Sequence, residues 1–239
     1  MIEVTEGTLL GGRVHYTQPR KGYRTGIEPV LLAAAIPARP GQTVLEAGTG
    51  AGAGLLCLAS RIWPLHAIGI ERDPDMAELA RHNTAANGRT IEIVTADVQA
   101  ARSLGPVDHA FANPPWHEPR ATRSPDRRRA AATHRDETGL DAWVRALSAA
   151  LTARGSLSLV LPAGLMGAAM AALAGAGMGR VALAPLWPRL GQAASLILLQ
   201  ARRGRGQCRL LPGLVLHGTG HGYAPQTEAI LREGAAFEI

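Results

Sequence analysis

The chain has 239 residues and a formal net charge of +6, and is 46% hydrophobic but only 4% aromatic. That length suits one substantial domain with a core of Ala, Leu, Val and Ile, and the basic excess, almost all of it arginine, points toward a polyanionic partner such as nucleic acid. No stretch reaches the roughly 18 uninterrupted apolar residues of a membrane helix, the N-terminus has no signal-peptide pattern, and Cys57 and Cys208 match no metal-ligand spacing, so both read as inert core thiols in a reducing cytoplasm.

Residues 1–40 hold a Gly-rich segment, KGYRTGIEP, and a short helix, PVLLAAAI. From residue 43 onward, short apolar strands at 43–47, 66–71, 91–96, 107–112, 156–162, 179–186 and 194–201 alternate with helices near 51–62, 74–87, 139–153 and 164–176. The near-continuous apolar character of these strands fits cover on both faces. The alternation predicts an α/β fold, a mostly parallel seven-stranded sheet with helices on both faces. The alanine-rich run AGLMGAAMAALAGAGMG reads as a packing helix. Two segments fall outside the pattern. Residues 117–137 form a long Arg-dense loop, of the kind that is usually functional or disordered. The tail 202–239 is expected to hold an irregular strand and a last short helix. The whole reads as a single domain: a lid segment over 1–40, a core over 41–201 and a tail over 202–239.

VLEAGTGAGAG is a strand that runs through Gly48, Thr49, Gly50 and Gly52 into a helix. Glycines there let the backbone turn tightly and let a ligand approach main-chain N–H groups at a helix N-terminus. The spacing of Gly48, Gly50 and Ala53 also satisfies a dinucleotide fingerprint, so the turn by itself leaves the ligand open. Three acids narrow it. Glu46 stands two residues before the first glycine, where it suits an ammonium group better than a pyrophosphate. Glu71, followed by Arg72, ends the second strand and is placed to accept from two ribose hydroxyls. Asp97, followed by Val98, ends the third, within reach of an adenine amino group. Each acid alone reads equally well as a helix cap or a solvated loop residue. Together they describe S-adenosylmethionine, with an ammonium, a ribose and an adenine but no phosphate.

The fourth strand ends in Asn113, Pro114, Pro115 and Trp116. An exocyclic amine is a poor nucleophile because its lone pair is delocalised. The Asn113 side-chain oxygen and the Pro114 carbonyl can each accept one of its N–H groups, and the prolines hold that geometry in place before substrate arrives. Trp116 offers a face on which a planar group can stack. The bland alternative is a turn-initiating Asn-Pro with a tryptophan capping the sheet edge.

With these residues the sequence resembles the class I S-adenosylmethionine-dependent methyltransferases that modify amino nitrogens, whose fourth motif is Asn-Pro-Pro-aromatic. Trp stands here where Tyr or Phe is commoner. The segment LLGGRVHYTQPRKGYRTGIEPVLLAAA and the tail GYAPQTEAILREG are similar to the bacterial tRNA1(Val) adenine-37 N6-methyltransferase group. The resemblance implies a Rossmann-like fold, S-adenosylmethionine as cofactor, no metal, and a place for Tyr23, Arg24 and Thr25 beside the cofactor. It also implies adenine N6 in tRNA as the substrate. Arg120, Arg123, Arg127, Arg128, Arg129 and Arg135, in the loop after the motif, suit a phosphate-bearing substrate, since such contacts position RNA without reading it. Glutamine N5-methyltransferases of proteins use the same motif and remain an alternative. A dinucleotide-dependent oxidoreductase and a silent RNA-binding subunit are the alternatives of other classes. The expected partner is RNA, with no membrane association, and the expected state is a monomer or weak homodimer in the cytoplasm.

Overall fold

The computed structural model describes residues 2–22, 24–115 and 139–239. A two-stranded antiparallel ribbon, β1 (Val4–Leu9) and β2 (Val14–Pro19), precedes helix α1 (Glu28–Ala35). The alternating part follows: β3 (Thr43–Ala47), α2 (Ala53–Arg61), β4 (His66–Glu71), α3 (Pro74–Ala86), β5 (Ile91–Thr95), a 3-10 stretch Val98–Leu104 and β6 (Val107–Ala112). After the undescribed residues come α4 (Leu140–Ala150), β7 (Leu151–Pro162), α5 (Met166–Gly175), β8 (Met178–Trp187) and β9 (Leu196–Arg203). Two-residue strands β10 (Arg209–Leu210) and β11 (Leu214–Val215) pair with β8, and a last helix, α6 (Pro225–Glu228), runs into a π-turn over Ala229–Glu233.

The sheet runs β10-β8-β9-β7-β6-β3-β4-β5, with β9 antiparallel to both neighbours and the other pairings parallel. Strand order therefore reverses between β3 and β6. Crevices beyond the carboxyl ends of strands at such a reversal are where open α/β sheets take ligands. Two cores flank the sheet, as its double cover requires. One gathers the ribbon, α1, α2, part of α3 and the tail around Leu31, Leu55 and Phe111. The other gathers the 98–104 stretch, α4 and α5 around Leu45, Leu147 and Leu159. Helix starts follow local chemistry: Asp73 accepts from the Asp75 and Met76 amides ahead of Pro74, whose missing N–H costs nothing at a first turn.

Three expectations are corrected. The ribbon stands where no strands were predicted: β1 is mostly exposed, and β2 buries Val14, Tyr16 and Thr17 only by packing on elements distant in the chain. The helix expected over 139–153 stops at Ala150, since Leu151 is buried by pairing with Val107 and begins β7 five residues early, across a register break between Val107 and His109. Cys57 is buried as predicted, and burial raises its pKa, but Cys208 is exposed beyond the end of β9. Among the described residues no helix is long and apolar enough to cross a membrane.

Candidate active site

Glycine is required at the mouth of β3. Gly48, Gly50 and Gly52 have φ of 67°, 56° and 90°, a region costly to other residues. A Cβ on Gly48 would stand 3.0 Å from Cη2 of Trp143. The turn is sewn to the next strand, with the Gly48 and Thr49 amides donating to the Ile70 carbonyl at 2.8 and 3.0 Å and the Gly50 amide to Glu71 Oε2 at 2.9 Å.

Beyond this turn, at the reversal of strand order, lies a cavity of about 410 Å³. It is lined by Arg24, Thr25, Glu46, Gly48, Thr49, Gly50, Glu71, Arg72, Asp97, Val98, Asn113, Pro114 and Pro115, which the sequence nominated. Gly52 shapes the turn behind the wall without lining it. Tyr23, Trp116 and the loop residues Arg120, Arg123, Arg127, Arg128, Arg129 and Arg135 lie outside the described residues. Tyr16, Ile70, Asp73, Met76 and Trp143 also line the cavity and were not nominated. Asp73 sits in a legible cap signal. Trp143 occupies a core position of an amphipathic helix, and nothing local to it announces a cavity.

The acids differ in what holds them. Glu46 is buried: its Oε2 accepts from Thr49 Oγ1 at 2.6 Å and from the Leu55 amide at 3.1 Å, so the carboxylate pins the turn to the first turn of α2. Burial pushes its pKa up to about 8, against the pull of those two bonds. Glu71 accepts from Gly50 and, through Oε1, from the Asp73 amide at 2.9 Å; burial raises its pKa too. A carboxylate has about four lone-pair sites, so capacity remains for two hydroxyl donors. Asp97 caps the 98–104 stretch through the Gln99 amide at 3.0 Å and still faces the cavity, so the cap and the ligand-facing role coincide. Thr25 is anchored by Gln18 Oε1 at 3.1 Å and by the Tyr16 hydroxyl at 2.7 Å.

Asn113 lies at the end of β6. Its Oδ1 is buried and has no hydrogen-bond partner among the described residues. Buried polar atoms are nearly always paired, and an orphan costs on the order of 1–3 kcal/mol. Trp143 Nε1, in the same wall, is likewise without a partner among the described residues, so the cavity has an acceptor and a donor with capacity for a ligand. Together with the glycine cradle and the acids on neighbouring strands, the two fit a charged, hydroxyl-bearing and amine-bearing pair of ligands.

Residues 44–150 match the methyltransferase domain family. Sheet order, cavity and this match define a class I methyltransferase domain, and its cofactor is S-adenosylmethionine. That removes the dinucleotide from consideration. Over 154 residues the chain is 32% identical to the tRNA1(Val) (adenine(37)-N6)-methyltransferase of Shewanella halifaxensis, covering 62% of this chain and 61%, less than two thirds, of that one. The enzyme of the same name from Aeromonas salmonicida is 28% identical over 214 residues, covering 88% of this chain and 89% of that one. Among solved structures, a predicted O-methyltransferase from Agrobacterium tumefaciens matches with a TM-score of 0.70 and 27% identity, over 89% of this chain and 99% of that one. A 16S rRNA N2 G1207 methyltransferase from T. thermophilus shares the fold, with a TM-score of 0.57 and 20% identity over 84% of this chain and 50% of that one.

Proposed function

We propose that the protein methylates an exocyclic amino nitrogen, N6 of an adenine in tRNA. The observation that carries the proposal is the unpaired, buried Oδ1 of Asn113 at the end of β6, beside Pro114 and Pro115 and in the wall of the cofactor cavity. S-adenosylmethionine supplies the methyl group on a sulfonium. Glu71 would accept the ribose hydroxyls, Asp97 the adenine amino group, and Glu46 would serve the ammonium, all three lining the cavity. Arg24 and Thr25, with Tyr23, close the cofactor side. Asn113 Oδ1 and the Pro114 carbonyl accept the two N–H groups of the substrate amine, which aims its lone pair at the methyl group. With the amine so held, the sulfonium would supply its methyl group to the nitrogen, the amine's proton would be lost to solvent afterwards, and no residue of the chain would need to act as a base.

A base inside a folded RNA must leave its stack to reach this depth, at a cost of a few kcal/mol that stacking on Trp116 offsets. The arginines of the 120–135 loop are assigned to phosphates. The names of the Shewanella and Aeromonas relatives support tRNA as the carrier of that base. The Agrobacterium neighbour is described as a predicted O-methyltransferase. A hydroxyl acceptor must lose its proton to become nucleophilic, and the Asn113 amide cannot take it. An amine needs only acceptors.

The test is methylation of bulk tRNA followed by mass spectrometry of the nucleosides. N6-methyladenosine is expected. Asn113→Ala should lower turnover about 10²–10³-fold, the scale of losing one preorganised polar contact to the reacting group, while cofactor affinity holds. Methylated glutamine in protein with no modified base would overturn the RNA assignment, and full turnover in Asn113→Ala would remove the mechanism.

A further inference from the structure

A second cavity, of about 730 Å³, opens at the other edge of the sheet, where α1 ends, β8 begins and β9 finishes. Five arginines line it: Arg39, Arg61, Arg180, Arg202 and Arg209. Glu238 is the acidic side chain in its wall, and Ile239, with the terminal carboxylate, lines it too, so the arginines still outnumber the anions. The ion pairs among the described residues involve Lys21, Arg81, Arg145 and Arg232, none of which lines this cavity. Three of the guanidinium groups instead bond carbonyls, that of Arg180 through a long contact of 3.5 Å to Arg205. Arg61 Nη2 donates to the Ala33 and Ile36 carbonyls at 2.9 and 2.7 Å, and Arg202 Nη1 donates to that of Arg154 at 2.9 Å. Burial alone lowers the Arg61 pKa, with no carboxylate acting to raise it. Few of the five arginines' N–H donors are taken up by these bonds, and like charges held close repel until a counter-ion arrives. The floor is partly apolar, from Ala34, Val181 and Ala182, and the volume falls in the range of ligand pockets.

We propose that this cavity binds a phosphate-bearing anion of nucleotide size, at a site separate from the methyl-donor cavity. Phosphate is the chemistry that satisfies several guanidinium forks at once, through oxygens carrying more than one charge per group. A monocarboxylate brings too little charge for five arginines. The phosphates belong either to a free nucleotide or to the backbone of an RNA, and the two sources are separable. The site does not depend on the identity of the methyl acceptor.

Sodium pyrophosphate is the probe, titrated calorimetrically into the full chain. Arg180→Gln/Arg209→Gln removes two exposed guanidinium groups from the cavity, and Arg102→Gln/Arg145→Gln removes two exposed arginines elsewhere as a charge-matched control. Pyrophosphate affinity should fall at least tenfold in the first variant and little in the second, with S-adenosylmethionine affinity unchanged in both as proof of intact folding. Arg209→Gln alone should give an intermediate loss. If the phosphates are those of RNA, the cavity variant also lowers the log-log salt slope of RNA binding by roughly 0.7–0.9 per lost contact. If they are those of a free nucleotide, that slope holds and ATP displaces pyrophosphate. Equal pyrophosphate affinity in parent and cavity variant, or equal losses in cavity variant and control, would overturn the proposal.

Discussion

Glu46 makes stability depend on pH in a direction opposite to that of most carboxylates. It is 3% exposed, and desolvation moves its pKa from 4.5 to about 8, although its bonds to Thr49 and the Leu55 amide pull downward. Because the folded pKa is the higher one, the folded protein holds a proton that the unfolded chain releases. Stability is therefore complete below about pH 4.5, declines as pH rises, and stops declining above about 8. One proton per site corresponds to about 1.4 kcal/mol per pH unit, so from about pH 5.5 to about 8 this residue should remove roughly 3 kcal/mol. His109 acts in the other sense: burial and the Arg202 charge depress its pKa to about 4, so its contribution is lost as pH falls below about 6.5. Comparing the parent with Glu46→Gln cancels that opposing term. The glutamine's amide oxygen can still accept from the Thr49 hydroxyl and the Leu55 amide, but the side chain cannot ionise. Urea denaturation across this pH range should give a falling profile for the parent and a flatter one for Glu46→Gln. Parallel profiles would refute the reasoning. Saturating S-adenosylmethionine should also flatten the parent's profile, because an ammonium group beside the carboxylate favours its charged form.

Two further changes probe the frame of the site. Gly48→Ala places a Cβ at φ 67° and 3.0 Å from Trp143. It should cost about 1–2 kcal/mol from the left-handed backbone alone, read as a lower melting temperature, together with weaker cofactor binding in calorimetry; an unchanged melt would mean the turn relaxes freely. Asn83→Ala removes the bond from the Thr17 amide and those to the Thr17 and Ala51 carbonyls, at 2.9, 2.8 and 2.9 Å. It should cost about 1.5–4.5 kcal/mol in chemical denaturation, and a loss below half a kilocalorie would show that water replaces the amide.

Much of the fold is legible in local pattern. β3, β4 and β6 fall on the predicted residues because each is an apolar run closed by a glycine, an acid or Asn-Pro. The candidate site was legible for a related reason: Glu71 and Asn113 close two of those runs, Glu46 is the penultimate residue of β3, and Asp97 follows β5. What escaped depends on distant partners. The outer edge of β2 is satisfied by side chains of α3 and its C-cap, Asn83 bonding Thr17 and Asn87 bonding His15, more than sixty residues away. Trp143 reaches the cavity only because α4 packs over the Gly48 turn. The exposure of Cys208 follows from where β9 ends.

The paired carboxamides of Asn83 and Asn87 stand in for a third strand beside the ribbon. They offer β2 an amide oxygen and an amide N–H at every second residue, as a neighbouring strand does. A two-stranded ribbon is marginal by itself in water. This one is held by α3 and its C-cap, by the Ala51 carbonyl that shares Asn83, and by its packing on α2 and the tail. Tyr16 and Thr25 line the cofactor cavity from the ribbon side and are bonded to each other. One wall of the site therefore stands on carboxamides more than sixty residues further along the chain, so loosening Asn83 or Asn87 should weaken the methyl-donor cavity without touching it.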